Sequence, residues 1–271
     1  MEMYHLPTMP AIARSLLVLL FLAGSGNAYC ASPLRFCYED VAQPPWTMPD
    51  GSGVTLDLLR RVQQRQNENF ELLPMPWKRC IEEVRIGTMD AMDASADTPE
   101  RREFSMVPTL PDGRGDPSAA LMTENFNLYF RIGSGVTWDG QTLVVPHGPV
   151  ITPRGYYVAA LLQQRGFTVS ESAKSSEDGL RMLAQGSADA ALLQGREAEL
   201  TCANDPRFRN LVAEARIPYA VLPLYLMVGR KVFDADPKRI NRIWNDIRAV
   251  LASAEYKKIE AMALKRTSGK P

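Results

Sequence analysis

Hydrophobic and polar positions alternate with period two in Leu34-Arg-Phe-Cys-Tyr38, and Glu39-Asp40 with the Pro44-Pro45-Trp46 turn end the run. That alternation predicts a strand. Past the loop Asp50-Gly51-Ser52-Gly53 the period changes, and Val54, Leu58, Leu59 and Val62 share one face of a helix. Phe70 to Leu73 predicts the next strand. Trp77 opens a helix with Ile81, Val84 and Ile86 as its apolar positions and Gly87 as its stop. Asp90-Ala91-Met92 is too short and too tightly bounded for another helix and reads as a buried strand. Thr98-Pro99-Glu100 then starts a helix, with Thr as N-cap, Pro at the first position and an acid against the dipole. Strand, helix, strand, helix, strand predicts a parallel sheet of βαβ units. Arg101 stands in the first turn of the last helix, where a positive charge opposes the dipole, and this misplacement points to an anionic ligand.

The loop-rich stretch Pro108 to Pro117 interrupts this regularity. Phe126 to Phe130 and Gly140 to Val145 predict strands, and Thr152-Pro153 caps a helix carrying Tyr156, Ala160 and Leu161 that stops at Gly166. Phe167 to Val169 is a further strand, and Ser175-x-x-Asp178 opens a helix like a capping box with Asp in place of Glu. Gly186-Ser-Ala-Asp189-Ala190 then echoes Gly87-Thr-Met-Asp90-Ala91, each following a helix and starting an apolar strand. Two lobes of like construction are expected. Tyr219 to Gly229 is strongly apolar and crosses back towards the first lobe. Pro237 starts a long helix with Ile240, Ile243, Trp244 and Ile247 inward, and a last helix from Ala254 leads to a loose tail from Thr267.

Three features of composition narrow the reading. The formal net charge is zero, from 31 basic and 31 acidic residues, so no basic field draws nucleic acid or an anionic membrane. Arg14, the apolar run Ser15 to Ala23 and the small residues up to Ala28 have the form of a secretory signal peptide cleaved near residue 28. Tyr29 before Cys30 does not suit a lipoprotein signal, and an uncleaved anchor is the competing reading. A periplasmic protein with no membrane insertion after cleavage is expected. Of the four cysteines, Cys30, Cys37, Cys80 and Cys202, some should pair in an oxidising compartment. Three pairings are open; Cys37 with Cys80 is favoured because each sits beside an element of the first lobe, and buried free thiols compete. With His147 the one histidine after the leader and no Cys-x-x-Cys spacing, neither a zinc site nor any cofactor is expected.

Pro45-Trp46, Gly53 with Leu56-Asp57-Leu58-Leu59, Gly87-x-x-Asp90-Ala91, Thr98-Pro-Glu-Arg101 with Phe104-Ser105, and Gly186-x-x-Asp189-Ala190 together carry a resemblance. The chain resembles the bacterial family 3 extracellular solute-binding proteins, the periplasmic receptors of polar amino acid ABC transporters. The resemblance implies an α/β, two-lobed periplasmic-binding-protein (type II) fold. Each lobe would hold a mostly parallel sheet flanked by helices, and two crossover strands would join them. The implied division is residues 1–28 as signal peptide, 33–120 as the first part of lobe 1, 121–220 as lobe 2 and 221–266 as the return to lobe 1. Arg101 matches the arginine that clamps a ligand carboxylate, which suits its planar fork. Trp77 matches an aromatic packed over the ligand, and Trp46 offers another wall. Glu39 and Asp40 fall where an acid meets an ammonium, and Ala94 and Ser95, with Ala96, where backbone and hydroxyl contacts occur. His147 occupies the place of a hydroxyl-rich anion loop, and Gln194 that of an aspartate for the ligand ammonium. Both departures loosen the link to an α-amino acid.

The expected function is capture of a small, polar, carboxylate-bearing solute and delivery to a membrane ABC permease, by a monomer that is not an enzyme. A periplasmic sensing module is the alternative. An enzyme resembling the dehydratases on this fold would draw its general acid or base from Glu39, Asp40, Asp93 or His147. No nucleophile, base and orienter stand together in the pattern.

Overall fold

The computed structural model describes residues 32–267. The signal-peptide reading of residues 1–28, Cys30 and the tail past Thr267 lie outside the described residues. Leu34–Glu39 (β1) pairs in parallel with Phe70–Met75 (β2) and with Ala91–Ala96 (β3). Val54–Gln66 (α1) and Trp77–Ile86 (α2) make the two crossovers. The single turn Pro99–Arg102 (α3) follows β3, then the two-residue strand Ser105–Met106 (β4). Met122–Arg131 (β5) leaves this half for the other.

The second half repeats the plan. Val150–Pro153 (β8) pairs in parallel with Val169–Ala173 (β9) and Ala190–Gln194 (β10), with Tyr157–Gln164 (α4) and Ser176–Ala184 (α5) between them. Gly195–Asn204 (α6) follows directly, then the short strand Val212–Glu214 (β11) at the edge of β5. Ala220–Gly229 (β12) returns antiparallel to β5, and both of these strands are ten residues long. The sheet order is β2-β1-β3-β12-β5-β10-β8-β9, a parallel trio at each end joined through two long antiparallel strands. Arg230–Ala235 (α7), Pro237–Ala252 (α8) and Ala254–Thr267 (α9) complete the first half.

The predicted apolar face of α1 is buried throughout, whereas on α2 Val84 is buried, Ile81 half-buried and Ile86 exposed. Leu58, Leu59 and Val62 of α1 pack with Ile240, Ile243, Trp244 and Ile247 of α8 on one side of the first trio. On the other side Trp77 and Val84 of α2 meet Met92 and Met227, and Cys37 of β1 is bonded to Cys80 of α2. The two sulfurs are 2.03 Å apart. Cys202 is a free, half-buried thiol. Gly53 at the N-cap of α1 has φ +128°, and a Cβ there would collide with the Trp46 carbonyl.

Two local predictions are corrected. Residues 140–145 add no strand to the main sheet: Asp139 accepts from the backbone N–H groups of Gln141 and Thr142, and only Leu143–Val144 (β7) is extended, paired in a two-stranded hairpin with Thr137–Trp138 (β6). Thr152-Pro153 does not cap a helix but ends β8, because Val150 and Ile151 are taken up by β10 and β9 on either side. The turn falls at Gly155, φ +79°, and Tyr156 becomes the N-cap of α4.

Candidate functional site

In parallel sheets ligands collect beyond the carboxyl ends of the strands, where the connections diverge. Here those ends face one another. β1 ends at Glu39, β3 at Ala96, β8 leads to Gly155 and Tyr156, and β10 ends at Gln194. They enclose a cleft whose apolar walls are Tyr38, Trp77, Phe126, Tyr157, Leu222 and Leu224, and whose polar lining includes Glu39, Gln43, Thr47, Asp93, Arg101 and Gln194. Its enclosed volume is about 40 Å³, room for two or three waters. A solute of amino-acid size therefore enters only if the two halves part.

Arg101 is 5% exposed. One of its terminal nitrogens donates to Ser95 Oγ at 3.1 Å and to the Ala96 carbonyl at 3.2 Å; the other reaches the Gly155 carbonyl in the opposite half at 3.1 Å. The Trp77 ring lies 5.5 Å from its guanidinium carbon. Thr98 caps α3 by accepting from the Arg101 backbone N–H, which fixes where the side chain departs. Burial lowers the guanidinium to about 10, so it stays cationic at neutral pH. All three acceptors are neutral, and a buried cation without an anion is costly.

Opposite the arginine, Glu39 Oε2 accepts from Gln43 Nε2 at 2.6 Å and from the Tyr156 hydroxyl at 2.6 Å. The hydroxyl accepts in turn from Gln43 Nε2 at 2.7 Å, and Gln194 Oε1 stands 3.3 Å away as a second acceptor for its one proton. Burial pushes Glu39 up to about 8, with the nearby Glu197 and Asp40 charges adding to the rise and the Tyr156 and Gln43 hydrogen bonds opposing it. Further contacts cross the cleft. Trp77 Nε1 donates to the Gly155 carbonyl at 3.2 Å, and Lys78 pairs with Glu171 at 3.1 Å while Glu171 accepts from the Gly155 N–H at 2.6 Å.

No family model and no curated protein matches the chain. Solved structures do match. A histidine kinase sensor domain with similarity to periplasmic binding proteins superposes with a TM-score of 0.68 at 16% identity, covering 87% of this chain and 97% of that one. An amino acid ABC transporter substrate-binding protein from Streptococcus pneumoniae, bound to L-arginine, gives 0.65 at 17% identity over 88% and 97%. An ancestral amino acid-binding protein, a precursor of cyclohexadienyl dehydratase, gives 0.64 at 17% identity over 92% and 99%. The chain has the periplasmic-binding-protein fold.

On that fold, Glu39, Trp77, Ala94, Arg101 and Gln194 come together at the cleft, with Ser95 just behind as a partner of Arg101. Three other sequence candidates do not join them. Trp46 is turned away, its Nε1 donating to Glu124 at 3.0 Å, and it lines a separate recess. Asp40 is exposed one residue past the cleft, and His147 is exposed on the loop before β8. Sequence reasoning passed over Gln43, Thr47, Tyr156 and Tyr157 as binding-protein cleft residues. Tyr156 looked like helix core from its spacing, and only the turn at Gly155 turns its hydroxyl to the cleft. Among the described residues, no group of three or more His, Cys, Asp or Glu is placed to hold a metal ion, and no helix is long and apolar enough to cross a membrane.

Proposed function

We propose that this chain is a periplasmic solute-binding protein that captures a small, polar, carboxylate-bearing, amino-acid-like solute for an ABC transporter. The solute would sit between a first lobe of residues 33–120 and 221–266 and a second of residues 121–220. One observation carries this reading: Arg101 is a buried cation at the mouth of an interlobe cleft with only neutral acceptors. A carboxylate would supply the missing charge through a planar, two-point match. Trp77 and Tyr157 offer apolar cover, and a titratable Glu39 faces them. The L-arginine bound by the pneumococcal neighbour agrees with this solute class.

Native mass spectrometry of the protein purified gently from the periplasm, followed by denaturing release, tests the proposal. A co-purified carboxylate that disappears in Arg101→Ala supports it. A flat thermal-shift response to a broad panel of amino and organic acids overturns it.

Ligand sensing is a second reading, favoured by the contacts Arg101–Gly155, Glu39–Tyr156 and Lys78–Glu171, which tie the lobes directly. A module that passes a closed-to-open change to a partner protein uses such contacts. Small-angle scattering distinguishes the two: solute that compacts the protein fits a receptor, and solute that expands it fits a sensor held closed by its own residues.

A further inference from the structure

β3 is irregular where it meets β12. Met92 pairs with Met227 and Ser95 with Tyr225, so Asp93 and Ala94 together oppose the single residue Leu226. This is a β-bulge, a device that re-aims side chains beside sites. Ala94 sits at φ +48° within it. The other non-glycine residues at positive φ among those described are Asn67 and Asn210, a residue type that tolerates the left-handed region, which alanine does not. Such strain persists where the surroundings enforce it, and it gathers at binding sites.

The bulge puts Asp93 in the lining of the cleft, 3% exposed. Its Oδ1 is buried with no geometrically formed hydrogen bond, and the one side-chain bond to Oδ2 is a long 3.5 Å contact from Thr55 Oγ1, which bonds the Trp46 carbonyl at 2.9 Å. Thr47, 2% exposed and lining the same cleft, has an equally unpartnered Oγ1. Among the described residues no cation pairs with Asp93, and no neighbouring charge is among the causes that move its carboxyl. Burial raises its carboxyl to about 7, opposed only by hydrogen bonds from the Ala94 backbone and Thr55. Buried polar atoms without partners are rare and need a reason.

We propose that Asp93 and Thr47 form a second subsite in the cleft, which binds a cationic nitrogen, ammonium or guanidinium, of the solute. A nitrogen with several N–H groups satisfies both orphan oxygens at once and supplies the counter-charge that a hydroxyl lacks. The inference rests on the proposed solute binding and narrows it to zwitterions. It also moves the amine contact from the position of Gln194, where the resemblance leads one to look, to the floor of the first lobe.

The test is calorimetric titration of the full-length mature protein with L-α-amino acids and ω-amino acids of three to six carbons, each beside its des-amino acid. Wild type is expected to prefer the amine member at least tenfold. Asp93→Asn should erase that preference while still binding the des-amino acid, and Thr47→Val should weaken the amine member alone. If Asp93→Asn keeps the preference while Arg101→Met abolishes binding of both members, the subsite is wrong and the carboxylate reading stands. If no acid binds, the carboxylate reading falls, and butylammonium and methylguanidinium become the probes. Binding of either that Asp93→Asn abolishes upholds the subsite alone, and no binding overturns it as well.

Discussion

Arg101 shows how a single residue can oppose the stability of the fold it belongs to. Its guanidinium has left water for one hydroxyl and two carbonyl oxygens, and charge is poorly compensated by neutral acceptors. Replacing it by a hydrophobe of similar length removes that cost. Arg101→Met should therefore match or exceed wild type in thermal stability, by about 1 kcal/mol or more, and lose carboxylate binding. Arg101→Lys should bind at least tenfold more weakly, because a point charge does not reproduce the fork. Thermal melts beside titrations with the released solute check both, and a Met variant that unfolds early would make the arginine structural. The residue was legible because a cation in a first helical turn is electrostatically misplaced. Asp93 was named only as an acid for an enzyme and Tyr156 only as helix core, since their places in the cleft come from a bulge and a turn that leave little mark on the sequence. Asp93-Ala94-Ser95 holds no glycine to flag positive φ, and Tyr156 sits at core spacing.

Among the elements, legibility followed how far each is determined locally. β1, α1, α2 and α8 were read from periodicity and stop signals; the apolar faces of α1 and α8 are the buried ones, while Ile86 at the end of α2 is 61% exposed. The strand expected at 140–145 gave way to a local turn at Asp139 and a short hairpin with 137–138, and the cap expected at Thr152 failed because strands distant in sequence took up the residues before it. The bond between β1 and α2 was one of six that four cysteines allow, and the crossover topology that brings the pair together is a tertiary fact. Cys37 and Cys80 are 43 residues apart, a loop for which chain entropy gives a stabilisation of about 4 kcal/mol. Cys37→Ala with Cys80→Ala should lower the unfolding free energy by that amount, seen as a lower urea midpoint with a steeper slope because the freed denatured chain exposes more surface, and reductant should shift wild type but not the double variant. Gly155 is the second prediction at this scale. It holds φ +79° on the β8–α4 turn, and an added Cβ would meet Lys78 Cγ at 2.9 Å and Trp77 Cδ1 at 3.2 Å in the opposite lobe. Gly155→Ala should therefore open the cleft while sparing each lobe's core. A larger radius of gyration with near-native circular dichroism is the expected signature.

Across the whole molecule the binding-protein fold gathers acids at the junction of its lobes. Glu39 is pushed up to about 8, and Asp93, Glu124 and Glu197 to about 7, each chiefly by burial. A carboxyl raised in the folded state holds its proton more tightly folded than unfolded. The stability this contributes is complete below the ordinary carboxylate value and is lost as pH rises through 7 to 8. Other acids run the opposite way: the Ser118 and Arg248 contacts lower Asp116, and Thr88 and Arg79 lower Glu83, so their contributions fade in acid. The two sets place maximum stability near pH 5, and the melting temperature should fall steadily from there to pH 8.5. Glu39→Gln isolates one share of that fall. Both hydrogen bonds to Glu39 land on Oε2, so an amide oxygen can take them over without a charge. The variant should melt with wild type at pH 5 and above it at pH 8.5, the gap reaching a few kcal/mol at about 1.4 kcal/mol for each tenfold change in proton affinity. At roughly 2–4 °C per kcal/mol for a chain of this size the gap is several degrees. Parallel curves at both pH values would show that Glu39 ionises freely and that the lobes do not enclose it in solution.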